Sequence, residues 1–329
     1  MVLFPPFLRE GAHRKKQEPN STHHCAIFSH NSPSIVGDAD IEWWPVDATQ
    51  EQSEQSIPDF VFLFIPGNPG LVEFYTEFLD DIHRDISKTG KRLEIFVRGH
   101  IGQAPNLAPA KNALWSVGLE AQVMSVVELY DSIQDTYGPT VKVILGGHSV
   151  GAWIVTQVMH SRPNTAAAAF LLFPTVSNIA STPNGRKLSW LFHRPIPTVV
   201  SSFTRLLSLP PLSLATHSLP YLSKFHEYPS SQLEVIKSLI TSPHVVYSAL
   251  TMAHDEMNTI GSLGSAPSTV QATCERERHR TYACFAAKDE WVGDEIESVR
   301  KMLDEGKVVV RDDDVPHAFC IMPLSQKFA

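Results

Sequence analysis

From about residue 60 onward, short apolar runs alternate with longer segments whose apolar residues recur at helical spacing. Continuous apolar runs of this length are typical of strands buried on both faces, and helices between such strands connect them in parallel. The strand-like runs are FVFLFI, RLEIFV, VKVILGG, AAAAFLLFPT, TYACFAA and KVVVR; the helical segments are LVEFYTEFLDDIHRDISKTG, LEAQVMSVVELYDSIQDTYG, GAWIVTQVMHS and DEIESVRKML. The sequence therefore predicts an α/β fold with a mostly parallel sheet and helices on both faces. Two earlier strands are predicted at CAIFSH and IEWWPV.

The alternation stops between residues 176 and 260, where prolines and helical patterns occur without a clear strand. We expect this segment to form a helical insert that acts as a lid or cap. The α/β core then consists of residues 1–175, of which 1–55 carry no recognisable motif, and of residues 261–329. With 329 residues, 43% of them hydrophobic, the chain can bury a core of this size.

Charge and composition exclude several other classes of protein. The formal net charge is −8, and nucleic-acid binding requires a basic surface instead. The four cysteines are scattered and have no metal-ligand spacing, so we expect thiols in a reducing compartment, with no metal and no cofactor. The first residues, MVLFPPFLREGAHRKK, lack the order of a signal peptide, and no apolar run of about 18 residues predicts a transmembrane helix.

A candidate nucleophile lies in the segment VILGGHSVGAWIV, which places Gly-x-Ser-x-Gly between a strand and a helix. The five-residue pattern alone is weak, because glycine and serine share ordinary turns. Between a buried strand and a helix, however, the same pattern forms a nucleophile elbow that raises the serine hydroxyl above the sheet. Ser149 is therefore the predicted nucleophile, provided that a base can accept its proton.

The expected partners of Ser149 follow the last two predicted strands. Asp289 lies in AAKDEWVGDE after TYACFAA, and His317 lies in DDDVPHAF after KVVVR. Each is unremarkable alone, since the chain has 15 histidines and other carboxylates flank Asp289. Together they follow three strands in the order Ser, Asp, His that α/β-hydrolases use. We therefore predict a catalytic triad of Ser149, Asp289 and His317.

An acyl-transfer site also needs backbone amides that face the developing oxyanion. Val150, directly after the nucleophile, is one predicted donor. The loop IPGNPG after an earlier strand is suited to supply the second, and its two prolines have no amide hydrogen. Asn68 is therefore the second predicted donor; the alternative is an ordinary proline–glycine loop.

Several segments of the chain resemble the lipid droplet-associated hydrolases of the α/β-hydrolase superfamily. The matching segments are FLFIPGNPGLVEFYTEFL, LEAQV, GGHSVGAW and LLFPTVSNIASTPNGRKLSWL, with weaker similarity at ALTMAHDEMNTI, AKDEWV and VPHAF. RGHIGQ matches the family's Gly-His loop only in part. The resemblance implies the α/β-hydrolase fold, a triad on Ser149, Asp289 and His317, and hydrolysis of sterol esters or acylglycerols. It also implies residence on lipid droplets and the endoplasmic reticulum.

The insert has a charge pattern of its own. From Thr136 to His226 the chain contains no Asp or Glu, and residues 176–226 carry only basic charges. Apolar anchors with basic neighbours suit a segment that lies in a phospholipid surface. We predict that residues 187–224 bind the phospholipid monolayer of lipid droplets; the alternative is an ordinary hydrophobic lid. The predicted anchors are Trp190, Leu191, Phe192, Leu206, Leu207, Pro210 and Pro211.

A helical pattern near the end of the insert contains MAHDEM. Its methionines, Met252 and Met257, either line an acyl pocket or pack in the core, and core packing is the simpler interpretation. Asp255 and Glu256 are interpreted as a solvated helix face.

Three functions remain in competition. The first is a serine ester hydrolase acting on lipid esters at droplets. The second is a droplet-organising protein in which catalysis is incidental. The third is a soluble hydrolase of small esters or thioesters that has no contact with a lipid surface.

Overall fold

The computed structural model describes residues 3–11, 22–46, 57–109, 118–207, 228–263, 269–311 and 315–322. Nine strands in these residues form one sheet, in the order β1-β2-β3-β5-β4-β6-β7-β8-β9. The strands are β1 (Leu8–Glu10), β2 (His24–Ser29), β3 (Asp38–Trp44), β4 (Phe60–Ile65), β5 (Leu93–Arg98), β6 (Lys142–His148), β7 (Ala168–Leu172), β8 (Thr281–Ala286) and β9 (Val308–Arg311).

The sheet is mostly parallel, as the sequence predicts. β5, β4, β6, β7, β8 and β9 are joined by parallel pairs, and β4 lies centrally between β5 and β6. The first three strands are antiparallel and extend the sheet beyond β5. All eight predicted strands are confirmed. The three-residue strand β1 is an addition that no sequence pattern indicated.

The described helices include the four that helical spacing predicted. The first begins at Thr76, later than its apolar pattern, because Val72–Phe74 form a 3-10 turn. The helices are α1 (Thr76–Ser87), α2 (Leu119–Tyr137), α3 (Val150–Ser161), α4 (Pro183–Phe192), α5 (Ile196–Leu207), α6 (Ser230–Ile240), α7 (Pro243–Thr259), α8 (Thr269–Arg276) and α9 (Ile296–Arg300).

Alternate side chains of β4 enter two different hydrophobic cores. Leu63 packs in the core that also holds Leu129 of α2 and Val155 of α3. Phe64 packs on the opposite face, in the core that holds Leu79 of α1. Because successive side chains of a strand point to opposite faces, the sheet carries helices on both of its faces. This confirms the predicted layers.

The helices α4 to α7 occupy the described part of the predicted insert, between β7 and β8. Residues 208–227 lie outside the described chain, and the rest of the 176–260 segment contains no strand. The boundaries predicted for the insert remain a prediction. Of the helices in the described ranges, none is long and apolar enough to cross a membrane.

Candidate active site

The site begins at the sharp turn between β6 and α3. Ser149 follows the last residue of β6 and has φ 54° and ψ −123°. A positive φ is rare for a residue with a side chain and costs of order 1–3 kcal/mol, so the surrounding packing must hold it in place. The turn has the strained geometry of a nucleophile elbow.

The two glycines of the motif permit close packing at this turn. A Cβ atom on Gly151 would lie 2.2 Å from the carbonyl oxygen of Ile65 at the end of β4. A Cβ atom on Gly147 would lie 2.4 Å from the carbonyl oxygen of Gly151. Any larger residue at either position would push the start of α3 away from the sheet.

The structure brings the three predicted triad side chains together. Nε2 of His317 lies 2.9 Å from Oγ of Ser149, and its Nδ1 lies 2.7 Å from Oδ2 of Asp289. Oδ1 of Asp289 accepts hydrogen bonds from the amides of Trp291 and Val292, and its carboxylate is fully buried. Because a carboxylate accepts, Nδ1 of His317 carries the hydrogen and Nε2 is free to accept the serine proton.

The loop 66–70 after β4 supplies the second wall of the site. The amide of Gly67 donates to Oη of Tyr75 at 2.9 Å, and the amide of Gly70 donates to Oε1 of Gln103 at 2.6 Å. In the described chain, no hydrogen bond engages the amides of Asn68 or Val150. The two predicted oxyanion donors are thus unengaged amides next to Ser149.

Sequence reasoning missed two buried residues that connect these walls. Oη of Tyr75 lies 2.7 Å from Nδ1 of His148, and Nε2 of His148 lies 2.9 Å from the carbonyl oxygen of His317. Burial, and next the nearby His317, lowers the pKa of His148 well below its usual value, so the ring is neutral. The position of His148, directly before the serine in the motif, was the one available signal.

A cavity of about 440 Å³ opens at Ser149 and His317. It is lined by Asn68 and Glu256, by aromatic side chains that include Phe192, and by apolar, non-aromatic side chains from the insert: Ile179, Leu188, Leu191, Ile236, Leu239, Leu250 and Met257. No Lys or Arg belongs to the lining within the described residues. The space beside Ser149 therefore suits an apolar group that carries no anionic charge.

Glu256 is not part of a solvated helix face, and that interpretation was wrong. Its side chain faces the cavity, where the residue is only 5% exposed, because α7 packs this face against the loop after β4. Burial raises the pKa of Glu256 to about 8; the hydrogen bond from Asn68 opposes this rise, and the carboxylate of Asp255 adds to it. Of the two methionines, Met252 is buried in the core and Met257 lines the cavity.

The outer side of the insert carries exposed apolar residues. Trp190 of α4 is 61% exposed, and three residues on one face of α5 are more than half exposed: Val199, Phe203 and Leu206. We call these four residues the outer apolar patch. Four basic residues on the same two helices or between them are also exposed: Arg186, Lys187, Arg194 and Arg205.

The predicted anchors divide between two surfaces. Trp190 and Leu206 belong to the outer apolar patch, whereas Leu191 and Phe192 line the cavity. Phe192 is 7% exposed, so its assignment as a surface anchor was wrong. Its side chain lies on the inner face of α4 and lines the cavity. The side chain of Leu207, together with Pro210 and Pro211, falls outside the described residues.

In the described parts of the chain, no group of three or more His, Cys, Asp or Glu side chains is arranged to hold a metal ion. The residues of the site are those of acid–base and nucleophilic chemistry.

Comparison with known proteins identifies the family to which this sequence is similar. A family model described as lipid-droplet associated hydrolase matches residues 58–320. The chain is 25% identical over 304 residues to the lipid droplet-associated hydrolase of Homo sapiens, covering 84% of this chain and 85% of that one. It is 23% identical over 306 residues to the Mus musculus protein of the same name, covering 85% of both chains.

Solved structures share the fold at low sequence identity. A peroxisomal alpha-beta-hydrolase from Saccharomyces cerevisiae matches with a TM-score of 0.56 and 12% identity, over 95% of this chain and 83% of that one. A putative lipase from Acinetobacter baumannii matches with a TM-score of 0.54 and 12% identity, over 92% and 87%. These similarities confirm the predicted α/β-hydrolase fold.

Proposed function

The chain belongs to the lipid droplet-associated hydrolase family, and from that premise we propose that it is a serine ester hydrolase of neutral lipids. The observation that carries the proposal is the hydrogen-bonded series Ser149–His317–Asp289, with distances of 2.9 and 2.7 Å, beside an apolar cavity. Its proposed location is the surface of lipid droplets and of the endoplasmic reticulum.

In the proposed first step, Oγ of Ser149 attacks the carbonyl carbon of the ester while Nε2 of His317 takes its proton. The carbonyl oxygen becomes negative and accepts hydrogen bonds from the amides of Asn68 and Val150. The tetrahedral intermediate then breaks its bond to the alcohol oxygen, which receives the proton from His317. The acyl group remains on Ser149 as an ester.

The second step repeats the chemistry with water as the nucleophile. His317 takes a proton from water, the hydroxyl oxygen attacks the acyl carbon, and the bond to Oγ of Ser149 breaks as His317 returns the proton. Asp289 keeps Nδ1 of His317 protonated and stabilises the imidazolium in both steps. The net reaction converts ester and water into acid and alcohol.

The cavity supports an acyl chain as the group bound beside Ser149. Aliphatic and aromatic side chains dominate its walls, and its volume falls within the roughly 300–1,000 Å³ usual for small-molecule sites. Burial of each methylene group of such a chain contributes about 0.8 kcal/mol. We propose sterol esters or acylglycerols as the substrate class, since both present an uncharged ester on a long chain.

The outer apolar patch supports contact with a lipid surface. Fully burying a large apolar side chain contributes roughly 1.5–3 kcal/mol, whereas a basic residue near an anionic surface contributes about 1 kcal/mol. Insertion of all four side chains of the outer apolar patch would therefore outweigh the four basic residues around them. Helix α4 also lines the cavity with Leu188 and Leu191, so docking of its outer side would bring the cavity close to the lipid.

Labelling with a fluorophosphonate probe, alongside a panel of lipid and soluble esters, tests the proposal. Wild-type protein should be labelled and should hydrolyse long-chain esters, and Ser149→Ala should abolish both. Ser161→Ala, at the other end of α3, is the matched control and should be labelled like the wild type. Labelling that persists in Ser149→Ala would contradict the assignment.

Cellular lipid measurements separate the two competing functions from this one. If effects on stored lipid persist in Ser149→Ala, the protein organises droplets and its catalysis is incidental. If the wild type hydrolyses only small soluble esters or thioesters and is not recruited to droplets, the protein is a soluble hydrolase of small esters or thioesters.

A further inference from the structure

Helix α7 and the loop after β4 meet at a pair of side chains beside the reaction centre. Nδ2 of Asn68 donates to the carbonyl oxygen of Ala249 at 2.9 Å and to Oε1 of Glu256 at 2.8 Å. Both hydrogens of the amide are therefore used. Oδ1 of Asn68 is buried and has no hydrogen-bond partner. An unpaired buried acceptor costs about 1–3 kcal/mol, so a donor is expected there.

The carboxyl group of Glu256 can supply that donor when it is protonated. Burial raises its pKa to about 8 even though the hydrogen bond from Nδ2 of Asn68 alone lowers it, so the group is mostly uncharged at neutral pH. A protonated carboxyl group has one O–H donor and one accepting oxygen. A side-chain amide presents the complementary acceptor and donor, and Nδ2 and Oε1 already form one half of such a pair.

We propose that Glu256 is a positioning residue whose protonated carboxyl group pairs with the side chain of Asn68 and so holds the Asn68 amide toward the oxyanion. This inference rests on the proposed function. Glu256 takes no part in the proton transfers of the proposed mechanism and acts on the reaction through Asn68.

A second contact from α7 supports the same arrangement. Nε2 of Gln103 lies 3.4 Å from Sδ of Met252, and Oε1 of Gln103 accepts from the amide of Gly70. Met252 and Glu256 are four residues apart, on one face of the helix. Helix α7 therefore holds the loop at both Asn68 and Gly70, and its position fixes that of the Asn68 amide.

The charged groups around Glu256 determine how its ionisation would affect the oxyanion. Asp255 lies on the same helix, His317 lines the cavity with the buried Asp289 behind it, and the uncharged His148 also lines the cavity. His100, against the same loop, is also uncharged, because burial lowers its pKa to about 3. Deprotonation of Glu256 would remove the second bond to Asn68. It would also place a negative charge near the oxyanion, and no Lys or Arg in the described cavity lining offsets that charge.

The test is the rate of fluorophosphonate labelling, with hydrolysis of a soluble chromogenic ester, across about pH 6 to 10. In the wild type, both rates should fall on the alkaline side, by about tenfold per pH unit above the pKa of Glu256. Glu256→Leu should label roughly 10- to 100-fold more slowly at neutral pH, because the Asn68 amide is misplaced.

Glu256→Gln gives the decisive comparison, since a glutamine amide can donate to Oδ1 of Asn68 and accept from Nδ2 at every pH. It should recover most of the activity that Glu256→Leu loses, and its alkaline decline should disappear. Asp255→Asn, one residue away, is the matched control and should retain the alkaline decline, moved to slightly lower pH because the charge of Asp255 raises the pKa of Glu256. Thermal unfolding of each variant checks that it is folded.

An independent readout is the infrared band of protonated carboxyl groups at neutral pH, which should be weaker in Glu256→Gln than in wild type by the contribution of one carboxyl group. Glu94, whose pKa is raised by burial to about 7, contributes to the band in both proteins. If Glu256→Gln is as slow as Glu256→Leu, or keeps the wild-type alkaline decline, the inference is wrong. If the wild type is not labelled at any pH, the proposed function itself fails.

Discussion

Oη of Tyr75 lies 2.7 Å from Nδ1 of His148, and both residues are buried beside Ser149. The carbonyl oxygen of His317 can only accept, so Nε2 of His148 carries the hydrogen and Nδ1 accepts from Tyr75. Oη of Tyr75 in turn accepts from the amide of Gly67. One series of hydrogen bonds therefore connects the loop 66–70, the turn at Ser149 and the backbone of His317.

Tyr75→Phe should weaken both stability and turnover. The change leaves the amide of Gly67 and Nδ1 of His148 without these partners, and each loss costs about 1–3 kcal/mol in unfolding free energy. Displacement of the loop should lower kcat for a soluble ester roughly tenfold or more. Tyr130→Phe is the matched control, because Tyr130 is equally buried and bonds Thr165 far from the site. It should lose stability and keep kcat; equal losses of kcat in both variants would show a general packing effect.

Asp289→Asn should lower turnover by about 10⁴, the loss seen when a triad carboxylate is replaced by an amide. The amide can donate to Nδ1 of His317 and so favours the tautomer that cannot accept the serine proton. Steady-state kinetics with a soluble ester measure the effect, and circular dichroism checks the fold. Glu290→Gln, at the exposed neighbouring carboxylate, should leave turnover unchanged. A large loss there instead would place the acid at Glu290.

Replacing Trp190, Val199 and Phe203 with serine should release the protein from lipid droplets. All three side chains are exposed, so their loss removes apolar surface without opening the cavity. Binding of the wild type should persist at moderate salt, and neutralising Arg194 and Arg205 should weaken it only in part. Droplet flotation measures the bound fraction. Ile86→Ser with Met124→Ser, at exposed apolar residues of α1 and α2, is the control. Unchanged binding of the triple variant would mean that the patch is only the outside of a lid.

Stability should depend on pH through Glu256. Its pKa is about 8 in the folded protein and near 4.5 in the unfolded chain, so the folded state holds the proton more tightly. That stabilisation is complete at low pH and is lost as the pH rises toward and through about 8. Relative to Glu256→Gln, the unfolding free energy of wild type should fall by more than about 1 kcal/mol between pH 5 and 9. Urea titrations of both proteins measure the unfolding free energy at each pH. If it depends on pH equally in wild type and in Glu256→Gln, Glu256 does not bind its proton more tightly when folded.

The sequence was sufficient for the sheet and for the grouping of Ser149, Asp289 and His317. Apolar runs and glycine spacing are local signals, and the carboxyl ends of parallel strands meet at one edge. Three residues that follow three such strands are therefore brought together by topology. The short strand β1 escaped notice because three residues, LRE, carry no alternation.

The contact between Asn68 and Glu256 could not be predicted in the same way. It spans 188 residues and depends on which face of α7 turns toward the loop after β4. Acidic residues on helices are usually solvated, so the sequence alone gives no reason to distinguish Glu256 from Asp255 beside it. In α4, the apolar residues lie on both faces, and only the packed structure separates the exposed Trp190 from the buried Phe192.

Helix α4 borders two different surroundings, because Leu188 and Leu191 line the cavity while Trp190 points outward. For an enzyme that docks through this outer side, the effective substrate concentration is the number of ester molecules per unit area of lipid. Turnover would then follow the surface composition of a droplet, not the amount of ester in its interior. An inert lipid that enters the monolayer would slow the reaction by surface dilution, even with the total ester held constant.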